Sequence, residues 1–112
     1  AVLNGNNILM YKLIFYVPVD FVDIVKKAVF SAGAGTLGNY QQCAWQTKGT
    51  GQFYATSNAH PTIGKPEEVT VVEEYRVEIL CDEACIRPAI GALKRVHPYE
   101  SPAYEVIRLE VI

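Results

Sequence analysis

Met10–Pro18, MYKLIFYVP, restricts the fold more than any other segment, because it is apolar on both of its faces. Side chains alternate along a strand, so Tyr11, Leu13, Phe15 and Val17 share one face and Ile14 and Tyr16 the other. A strand of this kind sits in a sheet that is covered on both sides. The chain has 112 residues, one domain by length, and can bury roughly two thirds of its unfolded surface. It needs no disulfide or metal staple to fold.

The segments after this strand fall into an ordered set. VDFVDIVKKAVFSAGAG has helical periodicity, with Phe21, Ile24, Val25, Ala28 and Ala32 as its apolar stripe and Asp20 as N-cap or first-turn anion. Gly33 or Gly35 supplies the left-handed residue that ends it. NYQQCAWQTKGTGQFYAT reads as a β-hairpin, with arms over Tyr40–Gln46 and Gln52–Thr56 and TKGTG as the turn. SNAHPTIGKPEE is a loop. Val69–Cys81 is a long strand with Tyr75, Val77, Ile79 and Cys81 on one face and Glu74, Arg76 and Glu78 on the other. Asp82 is positioned to cap a second helix running to about His97, with Ile86, Ile90, Leu93 and Val96 inward. Pro88 costs on the order of 3 kcal/mol inside a helix, which favours a late start with Pro88 in the first turn. YEVIRLEVI closes the chain as a strand with Ile107, Leu109 and Val111 on one face.

This order is β-α-β-β-α-β, the split βαβ arrangement. The expected fold is α+β and ferredoxin-like: a four-stranded antiparallel sheet with two helices on one face and an extra β-hairpin. Residues 10–112 form the single domain, and residues 1–9 are expected to be an extension or expression remnant. One helix layer covers one face of the sheet. A second copy of the chain is the economical cover for the other.

Charge and cysteine content narrow the function classes. The formal net charge is -2, and the doublets Lys26-Lys27 and Lys94-Arg95 make no basic stripe, so a nucleic-acid partner is not expected. No run of about eighteen apolar residues is present, so no membrane span is expected. The three cysteines are an odd count that fits a reducing cytoplasm better than a secreted disulfide framework.

HPYESPAYEV, from His97 to Val106, concentrates the residues that could carry chemistry. Its stronger reading is a hinge: a histidine near a helix C-terminus interacts with the last carbonyls, and Pro98 and Pro102 stiffen the exit. A stiff loop is also what a preorganised site requires. The ligand-binding candidates are His97, Tyr99 and Glu100, with Asn39 and Tyr40 from the sharp turn GNY. The metal candidates are His97, Glu100 and Cys43, whose imidazole, carboxylate and thiolate suit copper or zinc. Cys81 and Cys85 lack the C-x2-C spacing of a zinc site, and His60 reads as a loop residue. Trp45, Phe53, Tyr54, Ile14 and Tyr16 are the candidates for an oligomer interface, where aromatics are enriched. No nucleophile–base pair, P-loop or H-E-x-x-H is present. GAGTLG follows a helix instead of opening one, so it does not cradle phosphate.

HPYESPAYEV, GAGTLGNYQQCAW, GTGQF and EEYRVEI, in that order, resemble YqfO-type proteins, small relatives of the domain inserted in Nif-three-like proteins. The fold of that group is similar to CutA and the PII-like signalling proteins. The resemblance runs from about Met10 to Ile112. It implies self-association as a CutA-like trimer, with a dimer as the alternative, and implies no particular reaction. The expected function is a non-enzymatic, homo-oligomeric binding or regulatory module, with a divalent cation or small metabolite in clefts between subunits. The alternatives are a copper- or zinc-handling protein of CutA type and an accessory of a Nif-three-like metal-dependent hydrolase.

Overall fold

The computed structural model describes residues 2–4 and 7–112, with side chains from residue 9 onward. The chain forms strands β1 (Val2–Asn4), β2 (Asn7–Ile8) and β3 (Met10–Pro18), helix α1 (Val22–Ser31), strands β4 (Trp45–Tyr54) and β5 (Val69–Asp82), helix α2 (Glu83–Val96) and strand β6 (Tyr104–Leu109). β1 and β2 pair as a two-stranded ribbon. The expectation of an N-terminal extension falls partly on Ala1, Gly5 and Asn6, which lie outside the described residues.

β4-β5-β3-β6 is the order of the main sheet, and every neighbouring pair is antiparallel. Both helices lie on one face. Leu13, Phe15 and Val17 of β3 and Val77, Ile79 and Cys81 of β5 pack there against Val22, Val25 and Val29 of α1 and Ile86, Ala89 and Leu93 of α2. The period-two alternation expected for β3 and β5 thus marks their buried face.

Four expectations are corrected. First, TKGTG is no turn: β4 runs straight through it and pairs residue for residue with Val69–Glu78, so the extra hairpin over Tyr40–Thr56 does not form. Gly49 and Gly51 are absent from the glycines with positive φ, which are Gly33, Gly35, Gly38 and Gly64. A tight hairpin would have left the first half of β5 as an unpaired edge, and full-length pairing removes that cost. Second, α1 follows a 3-10 turn over Val19–Phe21 with no side-chain cap, so Asp20 is the first-turn anion of that turn and not an N-cap. The α1 face that packs is Val22, Val25 and Val29, while Ile24 is 57% exposed. This segment is apolar around much of its circumference, so periodicity alone does not select the inward face.

Third, α2 begins at Glu83, early, because the Asp82 carboxylate accepts the Cys85 N–H at 3.0 Å. Pro88 is therefore inside the helix, without an N–H for the Ala84 carbonyl. Pro88 is exposed, so its replacement removes little packing. Pro88→Ala is expected to raise the unfolding free energy by about 1–2 kcal/mol, after allowing for the looser unfolded chain. Urea unfolding measures this, and a loss of stability would show that Pro88 itself is needed for α2 to pack.

Fourth, the face away from the helices is mixed, with charges set among its apolar side chains. Lys12 Nζ and Arg76 Nε meet the Glu78 carboxylate there at 3.2 and 3.4 Å. Ile14, on that face between its register partners Glu78 and Glu105, is only 1% exposed. β3 contributes Met10, Ile14 and Tyr16 beside Lys12 to this face, and its neighbours contribute Leu80, Ile107, Leu109 and Trp45 as well as charges; Trp45 and Ile107 are 67% and 47% exposed there.

β3 pairs with β5 only from Glu74 onward. Thr50–Tyr54 and Val69–Glu73 therefore continue as a two-stranded ribbon, projecting roughly 17 Å beyond the end of β3 at strand rise. The molecule is correspondingly long, with extents of 53 × 23 × 23 Å.

Candidate functional site

The exit from α2 is fixed by one buried histidine. β6 pairs with β3 from Met10 to Phe15 and stops there. His97 takes the next place: its Nε2 lies 2.6 Å from the Tyr16 carbonyl oxygen. Its Nδ1 accepts the Tyr99 N–H at 3.0 Å. A carbonyl can only accept and a backbone N–H can only donate, so the ring is neutral with its proton on Nε2. Burial lowers the His97 pKa from 6.5, against the raising influence of the Tyr16 carbonyl bond and the Glu74 charge. Both nitrogens are used, so His97 offers no lone pair to a metal in this arrangement.

Tyr99, clamped by that bond, turns its ring against His97 (centroids 4.9 Å apart) and Phe53 (5.9 Å). Its hydroxyl donates to Glu74 Oε2 at 2.7 Å. Burial, followed by this carboxylate, raises the Tyr99 pKa well above its ordinary value, so the phenol stays a neutral donor. Glu74 reaches this place because Gly51 has no side chain: a Cβ on Gly51 would overlap the Glu74 carboxylate. Glu100 accepts the His60 N–H at 3.1 Å, tying the loop after β4 to the HPYESP loop. The loop after β4 is itself closed by the Glu67 N–H on the Ala55 carbonyl at 2.6 Å.

These elements enclose a cleft of about 360 Å³. Tyr16, Phe53 and Tyr99 form aromatic walls, Pro61 and Ile63 an apolar side, and Glu74 and Glu100 the charged part. A larger cavity of about 560 Å³ lies beside α1 and the glycine loop, lined by Lys26, Lys27, Gln41 and Gln42 among others. It contains none of the sequence-identified site residues. Convergent, fixed polar groups mark the smaller cleft as the better candidate.

Of the expected ligand residues, Tyr99 and Glu100 line the cleft, and His97 stands behind Tyr99 and positions it. Asn39 and Tyr40 do not line it; both are exposed in the loop after α1, where Tyr40 and Leu37 exchange backbone hydrogen bonds. The expected metal trio His97, Glu100 and Cys43 is not assembled, and no group of three or more His, Cys, Asp or Glu that could hold a metal occurs among the described residues. Cys43 instead anchors the glycine loop, donating its N–H to Gly35, whose own N–H reaches the Leu80 carbonyl. The motif GAGTLGNYQQC thus docks the end of α1 on β5. Burial, reinforced by the nearby Cys85 and Asp82, pushes the Cys81 thiol up to about 12, so Cys81 is a protonated core group.

Of the expected interface residues, Trp45 and Tyr54 are 67% and 57% exposed, Tyr16 and Phe53 sit in the cleft, and Ile14 is buried within the chain. Sequence reasoning missed Glu74 and Gly51 as residues of this cleft. Glu74 carried only the alternation of a polar face, and Gly51 carried a turn-like context; neither signal points to the other.

No family model matches the chain. The GTP cyclohydrolase 1 type 2 homolog of Mycobacterium tuberculosis is 41% identical over 98 residues, which are 88% of this chain and 26% of that protein. The Halalkalibacterium halodurans protein of the same name is 39% identical over 100 residues, 89% of this chain and 27% of its own length. The chain therefore spans about a quarter of these relatives. A crystal structure of a Bacillus cereus protein related to NIF3 superposes with a TM-score of 0.78 at 34% identity, over 99% of this chain and 29% of that one. The periplasmic divalent cation tolerance protein CutA of Archaeoglobus fulgidus has a TM-score of 0.66 at 12% identity, over 91% of this chain and 85% of that one. Bacillus subtilis GlnK in complex with ATP has a TM-score of 0.60 at 14% identity, over 90% and 82%. The last two share the fold alone. By sequence over most of its length and by fold over nearly all of it, the chain is a YqfO-type relative of one domain-sized segment of the Nif-three-like proteins, with a CutA- and PII-like fold.

Proposed function

We propose that the chain is a non-enzymatic, self-associating binding module that takes a small ligand in the cleft between Tyr99, Glu74 and Glu100. The observation that carries this reading is preorganisation: three segments far apart in sequence meet at a preformed cavity whose hydroxyl and carboxylates are already held. Self-association is supported by β4, an edge strand of the sheet, and by the exposed apolar side chains of Trp45, Tyr54, Val69 and Val71 along it and its neighbour. A trimer of the CutA kind would leave the projecting ribbon for contact between subunits, close to the cleft; a dimer is the alternative. The copper- or zinc-handling reading has less support, because His97 is internally engaged. A role beside a hydrolase is suggested only by the names of the relatives.

Native mass spectrometry of the chain at micromolar concentration tests this. The expected result is a homo-oligomer that retains a small organic ligand. A clean monomer removes the self-association. An assembly that takes up stoichiometric copper or zinc, and loses it in Glu100→Gln, replaces this reading with metal handling.

A further inference from the structure

We infer that the cleft selects a small organic cation, an ammonium- or guanidinium-bearing molecule with an apolar body. This deepens the proposed function and rests on it. The cleft has carboxylates but no lysine, arginine or histidine among its lining residues. Glu74 receives the Tyr99 hydroxyl and Glu100 the His60 N–H. Each carboxylate accepts more bonds than these, and neither pairs with a lysine or arginine among the described residues. Arg76, beside the cleft, is committed to Glu78 at 3.4 Å and lies 6.0 Å from the Tyr16 ring centroid.

The aromatic walls point the same way. Tyr16, Phe53 and Tyr99 line the cleft, and aromatic rings attract a cation through the ring quadrupole and accept its apolar part by burial. An anion would meet uncompensated carboxylates in a partly desolvated cavity. A bare divalent ion needs several oxygen ligands at once, whereas no group of three or more His, Cys, Asp or Glu converges among the described residues. The volume of about 360 Å³ lies at the small end of ligand pockets.

The test uses 2-phenylethylammonium, its neutral isostere 2-phenylethanol, its anionic isostere phenylacetate, and zinc alone, each titrated into the full chain while amide resonances are followed. The ammonium is expected to shift Gly51, Phe53, Tyr99 and Ser101 saturably and to bind about tenfold more tightly than the alcohol, with no shift from phenylacetate. Glu74→Gln keeps an acceptor for the Tyr99 hydroxyl. It is expected to weaken the ammonium about tenfold and leave the alcohol unchanged; Glu100→Gln repeats the test should Glu74→Gln fold poorly. Equal binding of the alcohol or phenylacetate, an ammonium affinity indifferent to both variants, or shifts at the same amides from zinc alone overturns the ligand class and leaves the cleft as a binding site. Silence from every probe overturns both the ligand class and the cleft.

Discussion

Replacing His97 with alanine is expected to cost about 3 kcal/mol of stability and to lower the melting temperature by roughly 15 °C. The ring is 6% exposed and holds two backbone groups, the Tyr16 carbonyl and the Tyr99 N–H. Removing it leaves both without a partner and opens a cavity at the end of α2. The same residue sets a pH dependence. Burial lowers its folded pKa below the unfolded 6.5, so the unfolded chain takes up the proton first as pH falls. Its stabilising contribution is full above pH 6.5 and is lost as the pH falls through the lowered folded value, by at most about 1.4 kcal/mol per pH unit. Denaturation of wild type and His97→Ala between pH 8 and 5 checks both statements. A variant that melts with the wild type, or a wild type whose stability rises on acidification in this range, would remove His97 as the clamp on the Tyr99 loop.

Gly51→Val is expected to separate stability from binding. A side chain at this position points into the cleft and displaces the Glu74 carboxylate, which costs the Tyr99–Glu74 hydrogen bond. Valine is a better strand residue than glycine, and that gain offsets part of the loss. The net change in unfolding free energy is expected to stay within about 1 kcal/mol. Affinity for 2-phenylethylammonium is expected to fall by more than about tenfold, because volume, carboxylate position and the Tyr99 hydroxyl all change together. Calorimetry and amide titration of the same sample read the two quantities. Unchanged binding would show that the Gly51 wall of the cleft is not part of the site.

Local sequence determined the element order, the buried faces of β3 and β5, the Asp82 cap and the stiff HPYESP exit. Each is written in neighbouring residues: alternation along a strand, an acid before a helix, two prolines in six residues. The rigid polar loop that carries Tyr99 and Glu100 to the cleft was legible for the same reason, since such a loop after a helix is a local pattern. The inward face of α1 and the fate of TKGTG were not legible. Phe21, Ile24 and Val25 make as good a helical stripe as Val22, Val25 and Val29 until the sheet is present to choose. Glycines permit a turn, yet they also extend when a long partner strand supplies hydrogen bonds, as β5 does for Gly49 and Gly51. The chemistry of the site was decided later still. His97 became a neutral structural clamp because the Tyr16 carbonyl, 81 residues away in sequence, stands where β6 ceases to pair. Glu74 became a cleft carboxylate because Gly51, its neighbour only across the ribbon, leaves room for it. Strand alternation, the Asp82 cap and the proline-stiffened exit are energies of adjacent residues and can be read along the chain. Partner choice, burial and proton state depend on contacts between distant segments, and these came into being only with the tertiary fold.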